Sequence, residues 1–312
     1  MSKPTFVVGT GRCGSTMLSN MLREHPKVLS LSEFFSMIAD GDLSSEPFSL
    51  EPMDGARFWA IIAAVPRFYA FFMQQGLPAS ELLYPPGDPS ARYSAHTGVP
   101  AILLTTLPHL TDQHDALFDA LGVEARTWPI SSISEHYHRL FGWLATRFGK
   151  IQWIERSGTM LWVEQFLTIF PDARFIHLVR DGRDVALSMQ QNNLFRLGLA
   201  WTQISETLGV YPLKSVDRTH LDRVPAELTP LLPERFEVEA FRQFTVPLST
   251  CTGYWAYLID LGLKHLRSLN PALEEFLRFV LSRQGQQAIL EQKIFIPLRV
   301  AQAASSRALL GS

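Results

Sequence analysis

Three glycines bracket an arginine and are followed at once by two hydroxyls in the run Gly9-Thr10-Gly11-Arg12-Cys13-Gly14-Ser15-Thr16. Glycine lets the main chain turn tightly and come close to a ligand. A helix opening after such a loop offers free N–H groups and the positive end of its dipole to an anion. Arg12 adds a fork of donors suited to phosphate or sulfate oxygens, and Ser15 and Thr16 add hydroxyl donors at the helix start. The chemistry is that of a cradle for a phosphate-like group. Two motifs compete for it. A Walker A loop reads G-x-x-x-x-G-K-[ST]; Gly9 and Gly14 keep the spacing, but Ser15 stands where lysine is required. The dinucleotide pattern G-x-G-x-x-G is also matched, at Gly9, Gly11 and Gly14, and Glu33 falls about where a ribose-binding acid would lie. Arg12 and the Ser15-Thr16 pair have no part in that second pattern.

A second constellation follows in RFIHLVRDGRDVALSM, residues 174–189. Arg180 reads as the end of a buried strand, and Ser188 lies within the next helix. Together they are placed to hold one phosphate group at the carboxyl edge of a sheet. Asp184 reads as a helix cap. Cys13, at a helix start where a thiolate is favoured, reads as a small filler rather than a nucleophile. His136 and His138 do not share a helix face, so they make no ligand pair and read as a solvated or pocket face. His96, His109 and His114 lie near turns, in an acceptor site or in surface loops. No His, Asp and Cys cluster has metal-ligand spacing, and no metal is expected.

These groups need elements to position them. Residues 5–10 (TFVVGT) form an apolar, β-rich run ended by glycine, which predicts a buried strand. Met17, Leu18, Met21 and Leu22 repeat at helical spacing and His25-Pro26 closes that helix. Residues 28–31 predict a second strand, ending at Ser32-Glu33. Residues 34 to about 150 are helical in pattern, broken by turns such as Tyr84-Pro85-Pro86-Gly87-Asp88-Pro89. A strand at 151–155, a helix around 160–170, a strand at 174–180 and a helix at 184–191 follow. Residues 208–243, rich in proline and charge, read as a surface excursion before a helix at 246–269. Strands alternating with helices imply a parallel α/β sheet covered on both faces.

Composition is consistent with a packed domain. Of 312 residues, 46% are hydrophobic and 19% charged, with 21 Phe. The net charge of −2 gives no support for nucleic-acid binding. Two cysteines exclude a disulfide framework and fit a reduced, cytoplasmic setting. The N-terminus lacks the design of a signal peptide. The apolar stretch 58–73 contains Pro66 and Arg67 and is shorter than the ~20 residues a bilayer takes, so no membrane span is expected. It reads as a buried helix or the wall of an apolar pocket.

GTGRCGSTML near the N-terminus, taken with FIHLVRDGRDVALS later, resembles the sulfotransferases that use 3′-phosphoadenosine 5′-phosphosulfate (PAPS). Trp153-Ile154-Glu155-Arg156-Ser157 is similar to that family's strand before its middle helix. The stretch from Arg12 through His25-Pro26 to Glu33 resembles its tyrosylprotein and bacterial branch. The resemblance implies an α/β fold, a three-layer P-loop-like domain with a mostly parallel sheet and a largely helical insertion at about 40–150. It further implies that Gly11, Arg12, Gly14, Ser15, Thr16 and Met17 line the 5′-phosphosulfate and that Arg180 and Ser188 hold the 3′-phosphate. Glu33 would be the general base and Arg156 a second stabiliser. The implied reaction is in-line sulfuryl transfer from PAPS to a hydroxyl or amine of a small-molecule, peptide, lipid or sugar acceptor, with arginines in place of a metal.

The resemblance covers about residues 4–39 and 150–192 and extends through about 269, which implies a sulfotransferase-like domain over 1–269; there the pattern breaks. An acidic strand and a late basic, glycine-containing loop are expected near the end, and neither is found. Residues 270–312 instead resemble the C-terminal end of periplasmic phosphate-binding proteins, which implies a foreign helical tail. Three rivals therefore stand beside the sulfotransferase reading: a vestigial nucleotide-binding protein, a P-loop kinase or nucleotide hydrolase, and a dinucleotide oxidoreductase.

Overall fold

The computed structural model describes residues 3–39, 45–77, 79–214 and 223–266. Four short strands, β1 (Thr5–Gly9), β2 (Val28–Ser32), β3 (Gln152–Arg156) and β4 (Arg174–Leu178), make one sheet in the order β2-β3-β1-β4. Every pairing is parallel, with Phe6 beside Glu155 and Phe175, and Ser32 beside Arg156. Thirteen α-helices are described: α1 (Ser15–Arg23), α2 (Phe34–Ile38), α3 (Gly55–Ile62), α4 (Arg67–Gln74), α5 (Ala101–Leu104), α6 (Thr106–Leu110), α7 (His114–Ala125), α8 (Ile133–Arg147), α9 (Val163–Ile169), α10 (Gly182–Gln191), α11 (Asn193–Leu208), α12 (Val238–Gln243) and α13 (Leu248–His265). All of them lie within one unit, Met1–His265.

The alternation of side chains along a strand divides the sheet into two unlike faces. Phe6, Trp153, Glu155, Phe175 and His177 share one. There Phe6 stacks on Phe166 of α9, ring centroids 4.5 Å apart, and Trp153 meets Phe141 of α8 at 4.8 Å. Ser30, Ser32 and Arg156 share the other face, where Ser30 bonds Ser19 of α1 at 2.9 Å and His109 of α6 lies beyond. Helices on both faces of a parallel sheet make the three-layer α/β fold expected from the sequence. The helix after β1 lies on one face and that after β3 on the other. A crevice therefore opens at the carboxyl ends of these neighbouring strands, where such sheets bind ligands.

Local sequence explains several boundaries. Ser132 and Glu135 form a reciprocal capping box that starts α8, and the Asn192 side chain caps α11, which ends at a left-handed Gly209. Asp181, not Asp184, caps α10 by accepting from the Arg183 N–H at 2.9 Å. The apolar stretch Gly55–Gln74 is long and apolar enough to span a bilayer by composition. It is two helices broken at Pro66, with Phe58, Ile62, Phe68 and Phe72 buried.

Three expectations are corrected. β4 stops at Leu178 and is half-buried, whereas β2 at the opposite edge is buried throughout; Arg180 lies in the loop beyond β4. The described part of 208–243 is not a surface excursion. Val224, Leu228, Leu231, Leu232 and Phe241 are buried with Phe68, Phe72 and Trp201, and the Trp201 indole N–H donates to the Leu231 carbonyl at 2.7 Å. Apolar residues spaced between the prolines supply that second core. His136 is not on a solvated face: it is fully buried, stacked on Phe58 at 4.9 Å and bonded to the Met53 carbonyl at 2.7 Å. The tail at 270–312 lies outside the described residues.

Phe6 is the central ring of the larger core, within 6.0 Å of Phe35, Trp153, Phe166, Phe170 and Phe175. Phe6→Ala is expected to cost about 3–5 kcal/mol. Urea unfolding should show a lower midpoint with an unchanged slope. A loss of stability under a third of that amount would mean the ring cluster is not what supports the sheet.

Candidate active site

The loop leaving β1 is built by crowding. A side chain on Gly9 would meet the Cys13 sulfur at 2.7 Å and the Leu178 carbonyl at 2.8 Å. Cys13 is buried, and burial raises its thiol above the ordinary value, so it stays protonated and fills space as the sequence suggested. Gly11, with φ +69°, lies so close to the Phe195 ring that a Cβ would sit 2.5 Å from it. Gly14, with φ +94°, starts α1, and no side chain caps that helix nor does any acidic residue lie in its first turn. The first N–H groups of α1 are left for a ligand, flanked by the Ser15 hydroxyl and an exposed Thr16.

Arg12 and Glu33 adopt left-handed backbone, φ 53° and 55°, and are the non-glycine residues that do so among those described. Each such conformation costs roughly 1–3 kcal/mol and has to be imposed by its surroundings. Strain at these two positions marks the same edge of the sheet that the motifs do.

Arg156 ends β3 on the serine face and is buried. Its guanidinium donates to the Glu33 carboxylate and the Ser32 hydroxyl, and lies 3.5 Å from the Ser15 hydroxyl. The Glu33 N–H returns a bond to the Arg156 carbonyl at 2.8 Å. Glu33 approaches so closely because Gly158 has no side chain: a Cβ there would sit 2.6 Å from a carboxylate oxygen. Burial raises Glu33 above the usual carboxylate range, and Arg156 opposes that. Two donors at this edge, the Arg156 Nε–H and the Ser157 hydroxyl, are buried without a partner.

The second constellation joins the first. Arg12 Nε donates to the Ser188 hydroxyl at 3.0 Å, and Arg180 reaches the Arg12 carbonyl at 3.3 Å and Asp184 at 3.4 Å. Gly11, Arg12, Gly14, Ser15, Thr16 and Met17 therefore stand on one loop and helix start, with Arg180 and Ser188 beside Arg12 and with Glu33 and Arg156 beside Ser15. Among the described residues no group of three or more His, Cys, Asp or Glu is placed to hold a metal ion.

Several participants carry no motif. Thr105 and Thr106 both donate to the Ser32 carbonyl at 3.0 Å, tying the helical region to the residue before Glu33. Glu81 bonds Arg12 at 2.7 Å, and Asn192 bonds Glu81 at 2.6 Å. His109, expected near a turn, is buried in α6; burial above all, with Arg23 and Arg156, lowers it to about 4, so it is neutral at physiological pH. An open groove of about 550 Å³ between the start of α10 and α13 is lined by Asp181, Arg183, Ser249, Thr252 and Trp255 among others, and none of the residues above lies in it.

The described residues thus form a parallel α/β domain with a glycine loop, an uncapped helix start and a buried arginine at its carboxyl edge. The chain belongs to the sulfotransferase family: the sequence model of that family matches residues 4–245. It is a transferase of that class, which sets aside the kinase and dinucleotide readings of the glycine loop. Among solved structures, the sulfotransferase domain of the olefin synthase of Synechococcus PCC 7002 is similar at 16% identity, covering 86% of this chain and 96% of that one, with a TM-score of 0.32. No curated protein matches the sequence.

Glu155, next to Arg156 but on the aromatic face, is fully buried with neither carboxylate oxygen hydrogen-bonded. Burial first, and then the charge of Glu33, raise it well above the ordinary range, against weaker opposition led by Arg156. The folded chain thus holds a proton on Glu155 more tightly than the unfolded chain, which releases it near 4.5. That contribution to stability is full below 4.5 and is lost as pH rises towards the folded value. Glu155→Gln, which keeps the shape without the charge, is expected to raise stability at pH 7 by about 1–3 kcal/mol and to flatten the decline as pH rises above 4.5. A Gln variant less stable than wild type at pH 7 would show that the carboxylate is ionised and matched.

Proposed function

We propose that the chain moves a sulfuryl group from PAPS to a hydroxyl or amine acceptor by in-line displacement. The observation that carries this reading is an uncapped helix N-terminus flanked by Arg12 and Arg156, with Glu33 held beside it by Arg156. On this reading the turn from Gly11 to Met17 receives the 5′-phosphosulfate, and Arg180 and Ser188 receive the 3′-phosphate. PAPS supplies the sulfuryl group. The acceptor oxygen bonds to sulfur as the bond from sulfur to the 5′-phosphate oxygen breaks, and the acceptor proton passes to Glu33. Negative charge grows on the departing phosphate oxygen, where Arg12, Arg156 and the first N–H groups of α1 favour it. Burial makes Glu33 a stronger base than a solvated carboxylate, while Arg156 keeps it able to ionise.

The helical region between β2 and β3 supplies the acceptor side in this proposal. Its Thr105 and Thr106 hydroxyls fix the Ser32 carbonyl, and so the turn on which Glu33 stands.

The test is transfer of radiolabelled sulfur from PAPS to a panel of phenols, sugars, lipids, amines and tyrosine peptides. Label is expected in at least one acceptor class. Glu33→Gln should lower kcat by about 10²–10⁴-fold with the donor KM little changed. Arg180→Ala should raise the donor KM instead. A Glu33→Gln enzyme with wild-type kcat would contradict the assignment of the base.

A further inference from the structure

Glu81 lies in the turn after α4, outside every motif, yet its carboxylate is drawn into the anion cradle. Its Oε1 accepts from Arg12 Nη1 at 2.7 Å and from the Asn192 amide at 2.6 Å, and its Oε2 accepts from the Ser80 hydroxyl at 3.2 Å. The ion pair is partly sheltered, with the two side chains 31% and 20% exposed. The same Arg12 guanidinium also donates to Ser188. A guanidinium fork accepts carboxylate and phosphate oxygens in the same geometry. Glu81 therefore makes with Arg12 the contacts that a phosphate oxygen would make.

We propose that Glu81 is an internal competitor for the donor site: its carboxylate holds Arg12 and Asn192 in the ligand-free chain and is displaced by a phosphate group of the donor. The inference rests on the reading that Arg12 faces a nucleotide phosphate. Displacement has two consequences. The donor's apparent affinity falls by the fraction of molecules in which Glu81 has vacated Arg12. The turn carrying Glu81 belongs to the helical region between β2 and β3, so donor binding releases a contact on the proposed acceptor side. Glu81 also adds to the charge that raises Glu33, so its departure lowers the negative charge around the proposed base.

The probe is labelled adenosine 3′,5′-bisphosphate, measured by equilibrium dialysis against wild type, Glu81→Gln and Glu81→Ala. Glutamine keeps shape and hydrogen bonding without the charge, so it reports even where alanine loosens the turn. The expected result is tighter binding by both variants, about 3–10-fold, since part-exposed ion pairs of this kind are modest. Equal or weaker binding by the variants, beside measurable binding by wild type, makes Glu81 a fixed brace for Arg12 and overturns the competitor while leaving the donor site in place. No binding by any of the three proteins overturns the donor reading and the competitor with it.

Discussion

A guanidinium buried at the carboxyl edge of a sheet has to be met by fixed partners, because an unmatched buried charge costs several kcal/mol. Arg156 is that charge, and the surrounding chain is arranged to meet it. Ser32 reaches it from the neighbouring strand, Ser15 from the first turn of α1, and Glu33 from the turn beyond β2. Each of these partners comes from a different element. Matching one cation therefore fixes the register of β2 on β3, the position of α1 and the strained backbone at Glu33 together. The left-handed conformation at Glu33 is the local cost of bringing a carboxylate back over the strand end, and Gly158 removes the side chain that would block it.

The loop before α1 follows a similar logic with space in place of charge. Gly9 is pressed between Cys13 and the Leu178 carbonyl, and Gly11 lies against the Phe195 ring. Between them Arg12 takes a left-handed backbone, and its side chain bonds Ser188. A cation that would otherwise be solvated is thereby committed to the edge of the sheet. The helix behind it begins without a cap, so its donors converge with two arginines that Glu33 and Glu81 match.

The sheet was legible because its strands are short apolar runs bounded by glycine, turns and helical repeats, and β1, β2 and β3 fall within a residue or two of where those runs lie. The apolar run RFIHLV continues past Leu178, where β4 stops, so pattern alone carries the strand on to Arg180. The core formed by residues 224–241 was hidden by prolines and charges that sit between its apolar side chains. His136 and His109 were hidden for a different reason: a lone histidine reads alike whether it meets a buried carbonyl or solvent. Residues with a motif around them, such as Arg12, Arg156 and Ser188, could be named in advance. Glu81, Asn192, Thr105 and Gly158 could not, because only the folded chain brings them to the strand ends.

The central claim is that this edge binds a nucleotide through two separate phosphate positions. Calorimetric titration of the full chain with adenosine 3′,5′-bisphosphate and with adenosine 5′-monophosphate tests it most directly. The account predicts that the bisphosphate binds at least about tenfold more tightly, a difference of about 1.4 kcal/mol, and that the advantage shrinks as salt is raised. Equal affinity for the two nucleotides, or no heat from either in a protein shown to be folded, would contradict it.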